Sequence, residues 1–507
     1  MSAAATATRA HGAAYEPLLA AAVADLRADF EQLLFLARSA DAQLVEAGDE
    51  LARASLREGT RELLTRQHEC SRRRYAAIAE RVLALRARAA GARPSRSLLD
   101  ELAAEKSSLA DVLRVEQALT AALLGAADWQ SPSFLHSTAP SAGLQDGRIR
   151  AHWNDYKRDR HLDGDAYEQR YLHALVDGGA DLRALLTSCG MAAFTTVLSF
   201  LQMEGKLDGP VLAGAGLYHE SRLLLERTLP GRVRLLDEAN TGLLLRAIDE
   251  LHPSAVFLDS LSNTKWMPVV DLPRVLARLA ETPAYVLIDN TGLSVACQPF
   301  ALAESAPRLI VFESLLKYAQ LGLDRANAGV IVARGEDGEL LSGYREHLGT
   351  NVADVAVHAL PQPDRRVLEQ RLARLQRNAL LLAEHLEATA GRSVQVVHPG
   401  LPSHPCATAA RRLRFSGGCL SIVFREADPR LQPERALVDQ AVAEAARREV
   451  ALLAGASFGL DTTRIYLTAE GAAWGEPFVR IAAGTEHRLE VERVAGVLAT
   501  AVRRVAP

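Results

Sequence analysis

Residues 285–292, YVLIDNTG, and residues 309–318, LIVFESLLKY, decide how the chain is read. Each opens on a run of apolar residues that is short for a helix and too continuous for a half-exposed strand. That is the pattern of a strand buried on both faces. VRLLDE, AVFLDS and AGVIVAR, between about Val233 and Arg334, repeat it, with helical stretches between them. Short apolar strands alternating with amphipathic helices predict a largely parallel sheet, whose ligands collect at the carboxyl ends of the strands. Asp259, Asp289, Asn290 and Ser314 fall at those ends.

Working outward, the texture changes twice. From about Tyr15 to Trp129 the pattern is helical, rich in Ala, Leu, Arg and Glu, with clear breaks only at AGARPSRS around Pro94 and in the Ser/Pro/Gly-rich stretch from Ser131 to Gly143. Several long helices in an antiparallel bundle, ended by a linker, are expected. A long helix pattern from Asp364 leads into strands near SVQVVHP, LSIVFR, RIYLT and FVRIAAG, and a last helix runs from about His487 to Val505. The expected organisation is an α/β chain of three parts: an N-terminal helical accessory domain (1–145), a large, mostly parallel sheet domain (146–362) and a smaller C-terminal α/β domain (363–507).

A chain of 507 residues has length for two or three cores. A formal charge of −4 gives no electrostatic reason to expect nucleic acid or an anionic membrane. No apolar run approaches the roughly 18 residues of a bilayer span, and the N-terminus lacks a basic segment followed by an apolar core. A soluble, cytoplasmic protein acting on small molecules is expected. The five cysteines are scattered, without CxxC or Cys/His ligand spacing, so neither a disulfide framework nor a zinc or other metal site is indicated.

Of 58 basic residues only five are lysine, at 106, 157, 206, 265 and 317, leaving 53 arginines. Each lysine is therefore worth inspecting. Lys106, in LAAEKSSLADV, reads as a solvated residue on a polar helix face. Lys317, three residues after Ser314 and just past a buried strand, is sheltered enough for desolvation to lower its pKa, as an amine nucleophile or base requires. Asp289, at the end of another strand, suits pairing with the protonated ring nitrogen of a pyridoxal cofactor, although a turn-capping role would also place it there. In TSCGMAAF, from Thr187 to Phe194, small residues open a helix whose free N–H groups would hold a phosphate; capping by Thr187 or Ser188 is the plainer alternative.

Taken in order, these motifs resemble the Cys/Met-metabolism, or cystathionine γ-synthase-like, family of fold-type-I pyridoxal-phosphate enzymes. That family reads YxR, SGMAA, YGGT, ESPSNP, VDNTF, SxTKY and a late arginine before SxGxE. This chain has YKR at 156–158, CGMAA at 189–193, YHES at 218–221, DSLSNT at 259–264, IDNTG at 288–292, SLLKY at 314–318 and VRIAAGTE at 479–486. The similarity covers roughly Ala151 to Val505. It implies a fold-type-I architecture with an added N-terminal helical domain, and pyridoxal 5′-phosphate carried by Lys317 as a Schiff base. It also assigns Gly190, Met191 and Ser314 to the cofactor phosphate, Tyr218 to stacking on the ring and Asn263 to the phenolic oxygen. Tyr156 and Arg158 match a pair that reaches the phosphate of a neighbouring subunit, implying a homodimer or homotetramer. Arg480 matches the arginine that grips the substrate's α-carboxylate.

Three positions depart from the pattern: Leu316 replaces the threonine before the lysine, YHES replaces YGGT, and Thr264-Lys265 follows Asn263. His219 and Glu220 thereby enter beside Tyr218. The expected reaction is α-proton removal at Lys317 followed by β- or γ-elimination or replacement. The large appendage suggests a bulky substrate such as S-adenosylmethionine. GASFGLDTTRIYL, with Ser457 and Arg464, has the flavour of an aminotransferase, so transamination is the alternative. A non-catalytic regulator or a helical scaffold is the remaining reading.

Overall fold

A computed structural model describes residues 3–53, 56–127, 162–262, 264–303, 308–425, 432–468 and 477–506. Three long helices come first: α1 (Ala3–Arg53), α2 (Glu58–Gly91) and α3 (Arg96–Ala127). Leu26, Phe30, Leu44, Tyr75, Leu99 and Leu113 pack between them, as the helical periodicity predicts. The break between α1 and α2 was not anticipated. The sequence is helix-forming on both sides of it, and the chain turns because Arg61 reaches back to the carbonyls of Leu51 and Ala52, at 3.3 and 3.4 Å, capping the end of α1. The expected linker, Ser131 to Gly143, lies outside the described residues.

Seven strands form the central sheet: β1 (Leu182–Thr187), β2 (Val211–Gly214), β3 (Val233–Leu236), β4 (Ala255–Asp259), β5 (Tyr285–Asp289), β6 (Leu309–Ser314) and β7 (Gly329–Arg334). Their order is β1-β7-β6-β5-β4-β2-β3. From β6 to β3 all pairings are parallel, and β7 runs antiparallel to both its neighbours. The pleat divides the core: Ala255 and Phe257 join Phe194 and Phe200 of the helix Gly190–Met203 on one face, while Val256 and Leu258 face the other. Burial on both faces is what made these runs continuous in the sequence.

A second sheet holds β8 (Val394–Val397), β9 (Cys419–Phe424), β10 (Leu453–Ala454), β11 (Arg464–Thr468) and β12 (Phe478–Ala482), in the order β10-β11-β12-β9-β8. It is antiparallel apart from the β10–β11 pair. The helices Arg365–Ala390, Pro433–Arg447 and Arg488–Val505 build a separate core with it. α1 docks on this part through Asp25, which is 6% exposed. Its carboxylate accepts from both Arg377 Nη atoms, at 2.7 and 2.8 Å, and from the backbone N–H of Arg488 at 2.9 Å.

Candidate active site

The carboxyl ends of β4, β5 and β6 lie side by side, with Asp259 opposite Asp289 in the register. After β5 the chain turns so that Thr291 N–H donates to Asp289 Oδ1 at 2.9 Å, and Thr291 Oγ1 accepts from Ser314 N–H at 2.9 Å. Ser314 in turn packs on Gly190, the first residue of the helix Gly190–Met203. A methyl on Gly190 would lie 2.7 Å from Ser314 Cβ, so only glycine allows this approach. The helix is capped by neither Thr187 nor Ser188. Cys189 Sγ accepts from Ala192 N–H at 3.3 Å, while Thr187 Oγ1 donates to the Cys189 carbonyl. The N–H groups of Gly190 and Met191, lacking helical acceptors, are left at the Ser314 strand end. Met191 Sδ accepts from Ser221 Oγ at 3.7 Å, tying this helix to the one that follows Tyr218.

Lys317 follows β6 by three residues. Its Nζ donates to Ser457 Oγ at 2.9 Å and lies 5.2 Å from the centre of the Phe458 ring. Burial, and then the charge of Arg480, lower its pKa from the ordinary lysine value. Burial raises the Asp289 carboxyl, against the opposing pull of the Thr291 hydrogen bonds and of Lys317. Burial and then the neighbouring Asp289 push Asp259 well above the usual carboxylate range. Asp259 Oδ2 accepts from Tyr218 N–H at 3.0 Å, and its Oδ1 is buried with no partner among the described residues. The Tyr218 hydroxyl is pushed up to about 12 by burial and by Glu220, and it also senses Arg480 and Asp289. Arg480, in β12, lies 5.7 Å from the Tyr466 ring and forms no ion pair with a described residue. Lys317, Ser457, Asp289, Tyr218 and Arg480 therefore come together from both sheets.

Tyr156, Arg158 and Asn263 lie outside the described residues. A further sequence expectation is corrected. Lys106 is no solvated surface residue: its side chain is 15% exposed and lies 3.8 Å from Asp29, because α3 turns this face toward α1 and the C-terminal part. Arg464 is bonded to the Ala456 carbonyl at 3.0 Å, so it braces the Ser457 loop. Thr291 and Asp461 were not singled out as site residues or site supports, and Asp259 was named only as lying at a ligand-bearing strand end. Thr291 stands in the IDNTG motif and was legible there, but the Asp461 contacts join residues 90 and 347 positions apart.

The profile of the family described as "Cys/Met metabolism PLP-dependent enzyme" matches residues 125–447. The chain belongs to this family. Among its relatives, the bifunctional enzyme flvA of Aspergillus flavus is 26% identical over 347 residues, which are 66% of this chain and 41% of that protein. Cystathionine gamma-synthase of Escherichia coli K12 is 31% identical over 294 residues, 57% of this chain and 72% of that one. The chain thus spans less than half of the first relative and nearly three quarters of the second. The crystal structure of cystathionine gamma synthase from Xanthomonas oryzae pv. oryzae, in complex with cystathionine, superposes with a TM-score of 0.58 at 23% identity. It covers 76% of this chain and 99% of that one, and establishes the fold-type-I architecture.

Membership of this family makes the protein a pyridoxal 5′-phosphate enzyme, and its residues fit that cofactor. The Gly190–Ser314 contact leaves a cradle that a single methyl would fill, at the N-terminus of a helix that favours anions. Lys317 is a desolvated amine, and Asp289 is a buried carboxylate at a strand end. Among the described residues no helix is long and apolar enough to cross a membrane.

Proposed function

We propose that this enzyme removes the α-proton of an amino-acid substrate with Lys317 and then eliminates or replaces a group at the β or γ carbon. The supporting observation is the Lys317 amine, desolvated, held by Ser457 and within electrostatic reach of Arg480 and of the strand-end Asp289. When bound, pyridoxal 5′-phosphate supplies the electron sink for carbanion chemistry at the substrate. Gly190, Met191 and Ser314 would hold its phosphate, Asp289 its ring nitrogen and Asn263 its phenolic oxygen, with Tyr218 against the ring.

The chain's own groups do the rest. Arg480 presents a planar fork that grips a carboxylate through two hydrogen bonds and so fixes the substrate's orientation. Lys317, whose pKa burial lowers, accepts the α-proton as the base and returns it to the next carbon or to a leaving group. Ser457 Oγ, accepting from Lys317 Nζ, limits the arc through which that amine swings. Tyr218 and Tyr466, the aromatic side chains near Arg480, are half-exposed, at 47% and 40%, and so face solvent. This supports a bulky substrate such as S-adenosylmethionine, which would release 5′-methylthioadenosine. Tyr156 and Arg158, by their match to the family's intersubunit pair, support a homodimer or homotetramer.

The test is incubation with candidate amino acids in deuterated water. Lys317-dependent deuterium at Cα, and at Cβ where a γ group leaves, is the expected result. Release of a 2-oxo acid with no loss of a side-chain group would establish transamination instead.

A further inference from the structure

Two loops flank Lys317, and the N-terminal helices hold both. The first follows Lys317 itself: Leu321, Gly322 and Asp324 have φ of +52°, +87° and +52°. The Leu321 carbonyl accepts from Gln32 Nε2 of α1 at 3.0 Å, and the Gly322 carbonyl accepts from Arg114 Nε of α3 at 3.1 Å. The second loop carries the hydroxyl that meets the Lys317 amine: Ser457 and Gly459 have φ of +75° and +82°. The Gly459 carbonyl accepts from Arg371 Nη2 at 2.8 Å. Asp461 closes the loop, with Oδ1 on Arg371 Nη2 at 2.8 Å and Oδ2 on Arg114 Nη2 at 2.7 Å. Arg371 Nη1 also donates to Gln32 Oε1 at 3.2 Å.

Arg114 and Gln32 therefore each touch both loops, directly or through Arg371, which is buried. Burial alone would raise the Asp461 carboxyl, but Lys106, Arg371 and Arg114 outweigh it and hold the group ionised well below the usual range. Two of those three cations come from α3. Non-glycine residues with positive φ are strained by about 1 kcal/mol or more and persist only where their surroundings hold them. Leu321, Asp324 and Ser457 are such residues: the clamp bonds the Leu321 and Gly322 carbonyls directly and reaches the Ser457 loop at Gly459 and Asp461, while Gln320 braces the first loop from within. The matched family region begins at residue 125, so α1 and all but the last turn of α3, with Gln32 and Arg114, lie outside it.

We propose that the N-terminal helical region is a positioning element of the active site, in which Arg114 and Gln32, acting through Asp461 and Arg371, hold Ser457 Oγ against the Lys317 amine. The proposal rests on Lys317 being the cofactor lysine and base. Freeing the clamp lets the 457–461 loop relax, so that Lys317 loses its hydroxyl partner while Arg480, on β12, keeps its place. Proton transfer suffers and carboxylate binding does not.

The test compares the holoenzyme with Arg114→Met, Gln32→Met, Ser457→Ala and the double variant Arg114→Met/Ser457→Ala. Arg114→Met should lower kcat about 10- to 100-fold, the scale of a misplacement near 1 Å, with KM changed less than about threefold. Because Arg114 acts through Ser457, the double variant should be no slower than Ser457→Ala alone. Amide hydrogen exchange across residues 455–462, in apo and holo protein, should quicken in both clamp variants while the large sheet keeps its protection. Gln32→Met, which removes no charge, reports if Arg114→Met does not fold. Unchanged kcat and exchange, or losses that multiply in the double variant, would overturn the positioning role. If Lys317→Ala itself retained cofactor absorbance and deuterium exchange, the reading of Lys317 would be the one to fall.

Discussion

Gly190→Ala is the sharpest probe of the phosphate cradle. The added methyl would meet Ser314 Cβ at 2.7 Å and Ser314 Cα at 3.1 Å, where ordinary contact begins near 3.4 Å. The cradle must open by 3.4 − 2.7 = 0.7 Å at the first of these contacts. Ser314 cannot simply rotate away, because its Cα is involved and its N–H is tied to Thr291 Oγ1 at 2.9 Å. The helix cannot retreat either, since Gly329 packs so closely under Cys189 that a methyl there would lie 2.5 Å from its carbonyl oxygen. Overpacking of this kind amounts to about 1–3 kcal/mol. If the gap opens between the two groups that hold the phosphate, that range corresponds to cofactor binding weakened about 5- to 150-fold. Equilibrium dialysis of the apoenzyme against pyridoxal 5′-phosphate measures it. Alanine favours a helix over glycine, so the thermal midpoint of the apoenzyme is an independent control. An unchanged cofactor Kd together with an unchanged or raised midpoint would refute the cradle.

Arg480→Lys should lower kcat/KM by roughly 10-fold or more while cofactor absorbance stays unchanged, because an ammonium keeps the charge but loses the fork; steady-state kinetics and visible spectra check this. Glu313 accepts from Ser294 Oγ and Tyr171 OH, and burial pushes its carboxyl from 4.5 up to about 7. Between those values the folded state holds the proton and the unfolded state does not, so its contribution is complete below about 4.5 and fades as pH rises through 7, on the order of 3 kcal/mol in all. Glu313→Gln should therefore remove that part of the decline in denaturation free energy between pH 5 and 8, and a wild-type slope retained in the variant would contradict the assignment. Arg158→Ala should weaken cofactor retention about tenfold or more, as loss of a charge-assisted phosphate contact of roughly 1.5–3 kcal/mol requires. A wild-type monomer in sedimentation, with full cofactor occupancy, would count against that contact.

The strands that position the site were readable because double-sided burial leaves continuous apolar runs: β4 to β7 each stood out, while β3, an edge strand with Arg234 exposed, stood out on composition alone. β1 and β2 did not. LRALLT is built from helix formers and VLAG is only four residues long, and pairing with β7, β3 and β4 makes them strands. Lys317 and Asp289 were legible because their chemistry demands a strand end, and Gly190 because its motif opens a helix. Ser457 was named for an aminotransferase resemblance, whereas its bond to Lys317 spans 140 positions and has no local signature. The same holds for the cap on α1, the Cys189 cap and the burial of Lys106. In each, a partner distant in sequence or an unexpected atom type decides what local propensity leaves open.

The Asp25 junction carries a consequence for how the chain is made. Its carboxylate is buried, yet two of its partners, Arg377 and Arg488, stand 352 and 463 residues further on. During synthesis α1 leaves the ribosome with this acid unpaired, and it stays so until the helix Arg365–Ala390, which carries Arg374 and Arg377, has emerged. The helical region can gather its own core early, but its docking face is completed only after the final helix, Arg488–Val505, arrives. The last eighteen-residue helix thus latches the first. A chain stopped short of it would keep Asp25 paired with Arg374 and Arg377 but leave it without the Arg488 N–H, an incomplete junction open to chaperones and proteases.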